Sequence, residues 1–225
     1  MSFFKTSKDK KDVEQGGTGY ITASGCYPVN IVAPFVSVSK NNSTTIDLFI
    51  DHEDQKQVLY GNLRITNNNG DTNKIGYKIF NQLAVIAGVD DISDPVDAEL
   101  PIGKNGADTD VAVLEDLADL DVILRVQMEY SVWNGSINEK KVIKGFYRAG
   151  DNASAKEIVS GTEPGVQYTK DTKYFDHVTY DDNLSEEEVA KWISDGRPKG
   201  TAGKSNSAAT SKPKFGNKSK FGSKS

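Results

Sequence analysis

The side chains best suited to chemistry in this sequence are aromatic and basic residues that recur at strand spacing. In the stretch 58–66, Tyr60, Asn62 and Arg64 alternate with aliphatic residues. An aromatic ring and a guanidinium on the outer face of one strand can stack a nucleic-acid base and neutralise a phosphate. The competing interpretation is an ordinary surface tyrosine beside a solvated arginine.

A second group of such residues surrounds Asn134-Gly135, a dipeptide that strongly favours a two-residue β-hairpin. Trp133 stands at the hairpin tip, where it either contacts a ligand or packs back over its own hairpin. On the returning strand, Lys144, Phe146 and Arg148 are expected to share one face, with Phe146 also a candidate for the core. The predicted nucleic-acid-binding residues are Tyr60, Asn62, Arg64, Lys78, Arg125, Trp133, Lys141, Lys144, Phe146 and Arg148.

Catalytic and metal-binding chemistry is poorly supplied. The only histidines, His52 and His177, lie far apart in sequence, and Cys26 is the only cysteine. A zinc site needs three or four convergent ligands, and no pair here has ligand spacing. The motifs G-x-x-x-x-G-K-[ST], G-x-G-x-x-G and G-x-S-x-G are absent. The sequence therefore predicts a non-enzyme without cofactor or metal, although its many carboxylates leave a Mg²⁺-dependent nuclease open as an alternative.

The net charge of -5 is unevenly distributed along the chain. Residues 197–225 hold eight basic residues and no acid, whereas residues 171–196 hold eight acids and two lysines. Residues 90–121 hold eleven acids and one lysine, which leaves the rest of the first 170 residues slightly basic. Salt confines the influence of a charge to about 8–10 Å, so a basic face can bind phosphates on a net-acidic protein. Mixed charge that merely solvates the surface is the alternative.

The apolar periodicity predicts a mainly β fold. Alternation predicts strands at 44–50, 58–66 and 121–132. A β-rich composition predicts a further strand at 27–39, and the Asn134-Gly135 turn predicts a returning strand at 137–148. Between the third and fourth strands, apolar residues at steps of three and four predict a helix at 74–87, ended by Gly88. A helix between strands 3 and 4 of five is the arrangement of the oligonucleotide-binding (OB) barrel. We therefore expect a five-stranded OB-fold barrel.

Composition shifts divide the chain into four parts. We expect a flexible N-terminal arm at 1–19 and the OB-fold domain at 20–150. The acidic insertion in that domain is predicted to hold a strand at 96–102 and a helical turn or two at 110–118. An acidic extension at 151–196 includes a short helix near 185–194, opened by a capping box at Ser185. A disordered basic tail with two Lys-x-Lys-Phe-Gly units follows at 197–225.

Three segments resemble the single-stranded DNA-binding proteins of tailed bacteriophages: the opening MSFFK, the stretch LYGNLRITN at 59–67, and RVQMEYSVWNGSINEKKVIKGF at 125–146. The resemblance implies an OB fold that coats single strands during phage DNA replication, repair or recombination, with no catalytic residues. Many proteins of this class end in an acidic tail that recruits replication partners. This chain instead ends basic, with its acids just upstream.

These observations predict sequence-independent binding of single-stranded DNA, with phage or host replication proteins as further partners through the C-terminal region. The alternative is a protein-interaction or virion-associated module that docks partners through the acidic insertion and tail. The opening MSFFKTSKDKK lacks the apolar region of a secretory signal, and no apolar run reaches the length of a membrane helix. We therefore expect the protein in the cytoplasm of an infected bacterial host cell, with no membrane partner.

Overall fold

The computed structural model describes residues 19–198. The strands are β1 (Gly25–Val38), β2 (Thr44–His52), β3 (Gln55–Arg64), β4 (Val96–Leu100), β5 (Thr109–Val113), β6 (Leu120–Trp133), β7 (Ser136–Arg148) and β8 (Thr179–Tyr180). The α-helices are α1 (Lys74–Ala87), α2 (Ala155–Ser160), α3 (Val166–Asp171) and α4 (Glu186–Ser194), with short 3₁₀ turns at Lys104–Gly106, Glu115–Leu117 and Thr172–Tyr174.

The eight strands form one mainly antiparallel sheet around β1. One edge of β1 pairs with β2, and the other edge pairs with β6 along its first half and with β5 near its end. The remaining antiparallel pairs are β2–β3, β4–β5 and β6–β7, whereas the short β8 runs parallel to β6. The mainly β architecture predicted from alternation is thus confirmed.

The sheet does not close into a barrel, which corrects the prediction of a closed one. Among residues 19–198, no backbone ladder joins β3 to β7. A hydrogen bond spans that gap, donated by the Ile143 amide to Oδ1 of Asn62 over 3.2 Å. The first turn of α1 lies against β3, so closely that a Cβ on Gly76 would collide with the Arg64 carbonyl oxygen. The helix, rather than a strand pair, fills the space between β3 and β7.

Three apolar clusters hold the structure together. The main core lies on the inner face of the sheet under α1, and its fully buried residues include Ile31, Leu48, Ile50, Leu59, Leu63, Leu83, Leu124 and Ile143. A second cluster lies on the outer face, where the β4–β5 hairpin covers Ala33, Phe35 and Phe49. A third joins the far end of the β6–β7 hairpin to α4 through Tyr130, Val189 and Trp192.

Local signals located most elements correctly. Helix α1 spans the predicted residues, with the Asn73 side chain accepting from the Gly76 amide and Gly88 ending the helix at a φ of 71°. Helix α4 begins after the predicted Ser185 capping box. Of the helical turn or two predicted at 110–118, the structure contains the 3₁₀ turn at Glu115–Leu117, whereas the residues before this turn form β5. Strand pairing with β4 and β1 decides its conformation.

The predicted arm at 1–19 and the predicted basic tail at 197–225 lie almost wholly outside the described residues. Within residues 19–198, no helix is both long and apolar enough to cross a membrane.

Candidate nucleic-acid interface

A groove with aromatic and basic walls lies on the outer face of β2 and β3. It encloses about 550 Å³ between these strands, the tip of the β4–β5 hairpin and β7. Its lining residues are Tyr20, Phe49, Lys56, Gln57, Val58, Tyr60, Pro101, Ile102 and Lys141, and we call it the aromatic groove. Two of the predicted site residues, Tyr60 and Lys141, therefore meet in one cavity.

A bulge in β3 presents Tyr60. Between the paired residues Ile46–Leu63 and Leu48–Leu59, β2 has one residue and β3 has three. Within this bulge Gly61 takes a φ of 67°, which a residue with a side chain rarely adopts. The buried Asp47 carboxylate holds this bulge, accepting hydrogen bonds of 2.6 Å from the Gly61 amide and from Ser37 Oγ. The Tyr60 ring rests edge-on against Phe35, with 6.5 Å between centroids, and stays 58% exposed. One anchored, solvent-facing ring is the form a base-stacking platform takes.

Tyr20 forms a second exposed ring in the aromatic groove, and its side chain is 51% exposed. Its neighbour Ile21 is fully buried in the main core. The Gln57 side chain fixes this segment, accepting from the Ile21 amide at 3.2 Å and donating to the Gly19 carbonyl at 3.1 Å. Neither Tyr20 nor Lys56 was predicted as a site residue. The only sequence signal for Tyr20 was an apolar neighbour just after a glycine-rich segment.

Lys141 supplies a half-buried cation to the aromatic groove. Burial lowers the pKa of its ammonium group from the ordinary lysine value, while nearby Glu139 raises the pKa and Arg197 lowers it. A phosphate beside this group would favour its charged form, so the site is electrostatically suited to an anion. Lys56, by contrast, is exposed on β3.

A second basic surface lies between α1 and β7. Two pockets line this surface, which we call the α1–β7 furrow: one includes Arg64, Ile79 and Lys140, and the other includes Lys78, Arg125, Lys144 and Lys156. Arg64, Lys78 and Lys156 have no ion-pair partner within the described part of the chain. The furrow therefore gathers predicted cations that the aromatic groove does not contain.

Two cations of the furrow are partly neutralised. Lys144 Nζ lies 2.7 Å from Glu129 Oε1. Arg125 lies 3.7 Å from Asp171 and has its guanidinium over the Phe175 ring at 5.8 Å. Such partly exposed pairs contribute little stability, so a phosphate can compete for these cations.

Asn62 is part of the framework rather than a free polar group. Its Oδ1 accepts from the Ile143 amide, and its Nδ2 donates to the Tyr60 carbonyl at 3.1 Å. The side chain thereby joins β3 to β7, and it lines the pocket of the α1–β7 furrow that also includes Arg64. A role in positioning Tyr60 follows from these contacts.

The structure places Phe146 in the main core and Arg148 in an ion pair. Phe146 is 2% exposed in the main core, so its ring has no free face for a base. A bulge at Lys144, opposite the Arg125–Val126 step, shifts the register of β7 by one residue. Lys144 therefore does not share a face with Phe146 and Arg148 as predicted. Arg148 pairs with Asp151 over 2.5 Å and lines neither basic surface.

Trp133 stands at the tip of the β6–β7 hairpin with 71% of its surface exposed. The predicted tight turn is confirmed, with φ values of 50° at Asn134 and 74° at Gly135. The ring does not pack back over its hairpin. It remains a candidate contact beyond the aromatic groove.

The C-terminal elements brace this hairpin. Tyr180 of β8 stacks on Tyr130 with 5.9 Å between ring centroids, and Trp192 of α4 meets Tyr130 edge-on at 6.4 Å. Asp182 accepts from the Val132 amide at 2.8 Å. Burial raises the pKa of the Tyr130 hydroxyl to about 12. The extension beyond residue 150 thus fixes the strands that carry Trp133 and Lys141.

No metal centre emerges among residues 19–198, where no group of three or more His, Cys, Asp or Glu side chains is placed to hold an ion. Comparison of the chain with models of protein families and with curated proteins finds no match.

Proposed function

We propose that this protein binds single-stranded DNA without sequence preference. The observation that carries the proposal is the aromatic groove, where two exposed tyrosines and two lysines surround one cavity on the outer face of the sheet. Sequence-independent binding of single strands needs this combination, because every base has a face that can stack and every nucleotide a phosphate.

The proposed mechanism combines base stacking with neutralisation of phosphate charge. Tyr60 and Tyr20 stack unpaired bases, and Lys56 and Lys141 neutralise the adjoining phosphates. The α1–β7 furrow then receives the strand as it leaves the groove, through cations such as Arg64 and Lys78. Trp133 offers a further stacking surface at the hairpin tip. No bond is made or broken, so the protein acts by sequestering the strand rather than by catalysis.

We further propose that part of the sheet, together with α1, forms an open version of the OB fold. Its five strands are β1, β2, β3, β6 and β7, and the β4–β5 hairpin is inserted between α1 and β6. The pairing of β1 with both β2 and β6 supports this proposal, as does the position of α1. Together with the sequence resemblance, it favours a bacteriophage protein that coats single strands during replication, repair or recombination in the host cell.

Fluorescence anisotropy with a labelled oligothymidylate and a duplex of equal length tests the proposal. The full chain should bind the single strand more tightly than the duplex, and its affinity should fall as salt rises because binding releases counterions. Absence of binding to the single strand at low salt would refute the proposed function.

A charge-neutralised variant locates the contact. In Lys56→Gln/Lys141→Gln, the slope of log affinity against log salt should become shallower by about 1.4, as expected for two lost phosphate contacts on a single strand. The control Lys173→Gln/Lys191→Gln removes the same charge from exposed lysines outside both basic surfaces. Equal slopes for the two variants would show that the aromatic groove is not where the phosphates bind.

A further inference from the structure

The β4–β5 hairpin forms one wall of the aromatic groove. Its inner face, with Ala98, Leu100 and Val111, packs on Phe35 and Phe49 of the outer sheet surface. Just beyond β4, Pro101 and Ile102 line the groove directly. The hairpin is thus fixed to the sheet by apolar contacts, and its tip borders the place proposed for the DNA.

The opposite face of this hairpin is acidic. Asp97, Glu99 and Asp110 project from it and are exposed, and none of their carboxylates has a hydrogen-bond or ion-pair partner within residues 19–198. Glu99 and Asp110 stand directly opposite each other in the strand pair. Like charges in that position destabilise a hairpin, by up to about 1 kcal/mol. The packing of the hairpin does not require these carboxylates, so their placement points to a role outside folding.

The aromatic groove therefore has two electrostatically different walls. Lys56 and Lys141 lie on the side of β3 and β7, whereas the hairpin side is apolar at the surface and acidic behind it. Glu99 lies two residues before Pro101, so its Cα stands about 7 Å along the strand from a residue that lines the groove. Charges interact over about 8 Å at physiological salt and over longer distances at lower salt, so the carboxylates of this hairpin contribute to the potential at that wall of the groove.

We propose that the acidic β4–β5 hairpin selects single strands over duplex DNA at the aromatic groove. This inference rests on the proposed function. A single strand can turn its bases toward the apolar wall and keep its one phosphate backbone beside the two lysines. A duplex carries a second phosphate backbone, so its total charge per unit length is about twice that of one of its strands, and the second backbone must face the acidic hairpin. Repulsion then acts on the duplex far more than on the single strand.

The test compares two variants that remove equal charge from the same acidic insertion. Glu99→Gln/Asp110→Asn neutralises the opposed pair next to the groove, and it should not unfold the hairpin because it relieves a like-charge contact. Asp90→Asn/Asp91→Asn is the control, since both residues are exposed in the segment after α1 and neither lines the groove. Affinities for a labelled oligothymidylate and for a duplex of equal length are measured by anisotropy at low and high salt.

For Glu99→Gln/Asp110→Asn we expect the ratio of single-strand to duplex affinity to fall by roughly three- to fivefold at low salt, through tighter duplex binding. The ratio should change little in the control, and the difference between the variants should disappear at high salt, because salt screens it.

Two outcomes would overturn the inference: an unchanged ratio, which includes an equal rise in both affinities, or the same change of ratio in the control, which would show an effect of net charge alone. Failure of the wild-type chain to bind any single strand would instead refute the proposed function. The two failures are therefore distinguishable.

Discussion

Replacement of Tyr60 by alanine is the sharpest test of how the aromatic groove works. The ring is 58% exposed, and among the described residues its one aromatic contact is the edge-on approach to Phe35, with 6.5 Å between ring centroids. It can therefore stack one base, which is worth about 1–3 kcal/mol. We expect the dissociation constant for oligothymidylate to rise roughly 5- to 150-fold in Tyr60→Ala.

The same structure predicts a small effect of this substitution on folding. Loss of the contact with Phe35 should lower the free energy of unfolding by about 1 kcal/mol, so the variant should remain folded. Tyr60→Phe should bind like the wild type, because the tyrosine hydroxyl has no hydrogen-bond partner among residues 19–198 and the ring supplies the stacking.

Anisotropy titration at one salt concentration, with urea unfolding in parallel, separates the two effects. Tyr174→Ala is the matched control, since Tyr174 is 48% exposed and lies outside the groove. The stacking argument fails if Tyr60→Ala binds as tightly as the wild type. It also fails if Tyr60→Phe loses as much affinity as Tyr60→Ala.

Two further predictions concern residues that do not line the aromatic groove. Phe146→Ala should lower the free energy of unfolding by about 3–5 kcal/mol in urea titrations, because it leaves a cavity where a buried ring was. The fraction of the variant that is still folded should bind DNA as the wild type does. Weakened binding without destabilisation would contradict the place of Phe146 in the core. Burial raises the pKa of the Cys26 thiol from 9.0 to about 12. Between these two pH values the unfolded chain loses the thiol proton more readily than the folded chain. The free energy of unfolding should therefore be unaffected by this group below pH 9 and decline as the pH rises toward 12. Urea unfolding at pH 7 and pH 10 should show a larger decline for the wild type than for Cys26→Ala, and equal declines would contradict this explanation.

Local sequence signals were enough to locate most secondary structure. Alternation of apolar residues predicted β2, β3 and β6, and a β-rich composition predicted β1. Apolar residues at steps of three and four, with an end signal at Gly88, predicted α1. Asn134-Gly135 identified the hairpin turn, because few residues tolerate its positive φ values. These features depend on the conformational preferences of residues close together in the chain, so they can be predicted from the sequence.

Strand irregularities were beyond such signals. The bulge at Lys144 interrupts the alternation of β7, so a face read as Lys144, Phe146 and Arg148 does not exist. The conformation of 109–113 likewise depends on pairing with β4 and β1, which are distant or weakly patterned in sequence. Register is a property of two strands together, and one strand read alone does not reveal it.

The sequence by itself thus determined a mainly β protein with one long helix, an Asn-Gly hairpin, and aromatic and basic side chains suited to nucleic acid. The tertiary structure alone decided which of them meet. It joined Tyr60 and Lys141 to Tyr20 and Lys56 in one groove, placed Lys78, Arg125 and Lys144 in a separate furrow, and withdrew Phe146 into the core. The physical reason is that alternation fixes which side of a strand a residue takes, whereas only the packing of strands from distant parts of the chain fixes which side chains share a surface.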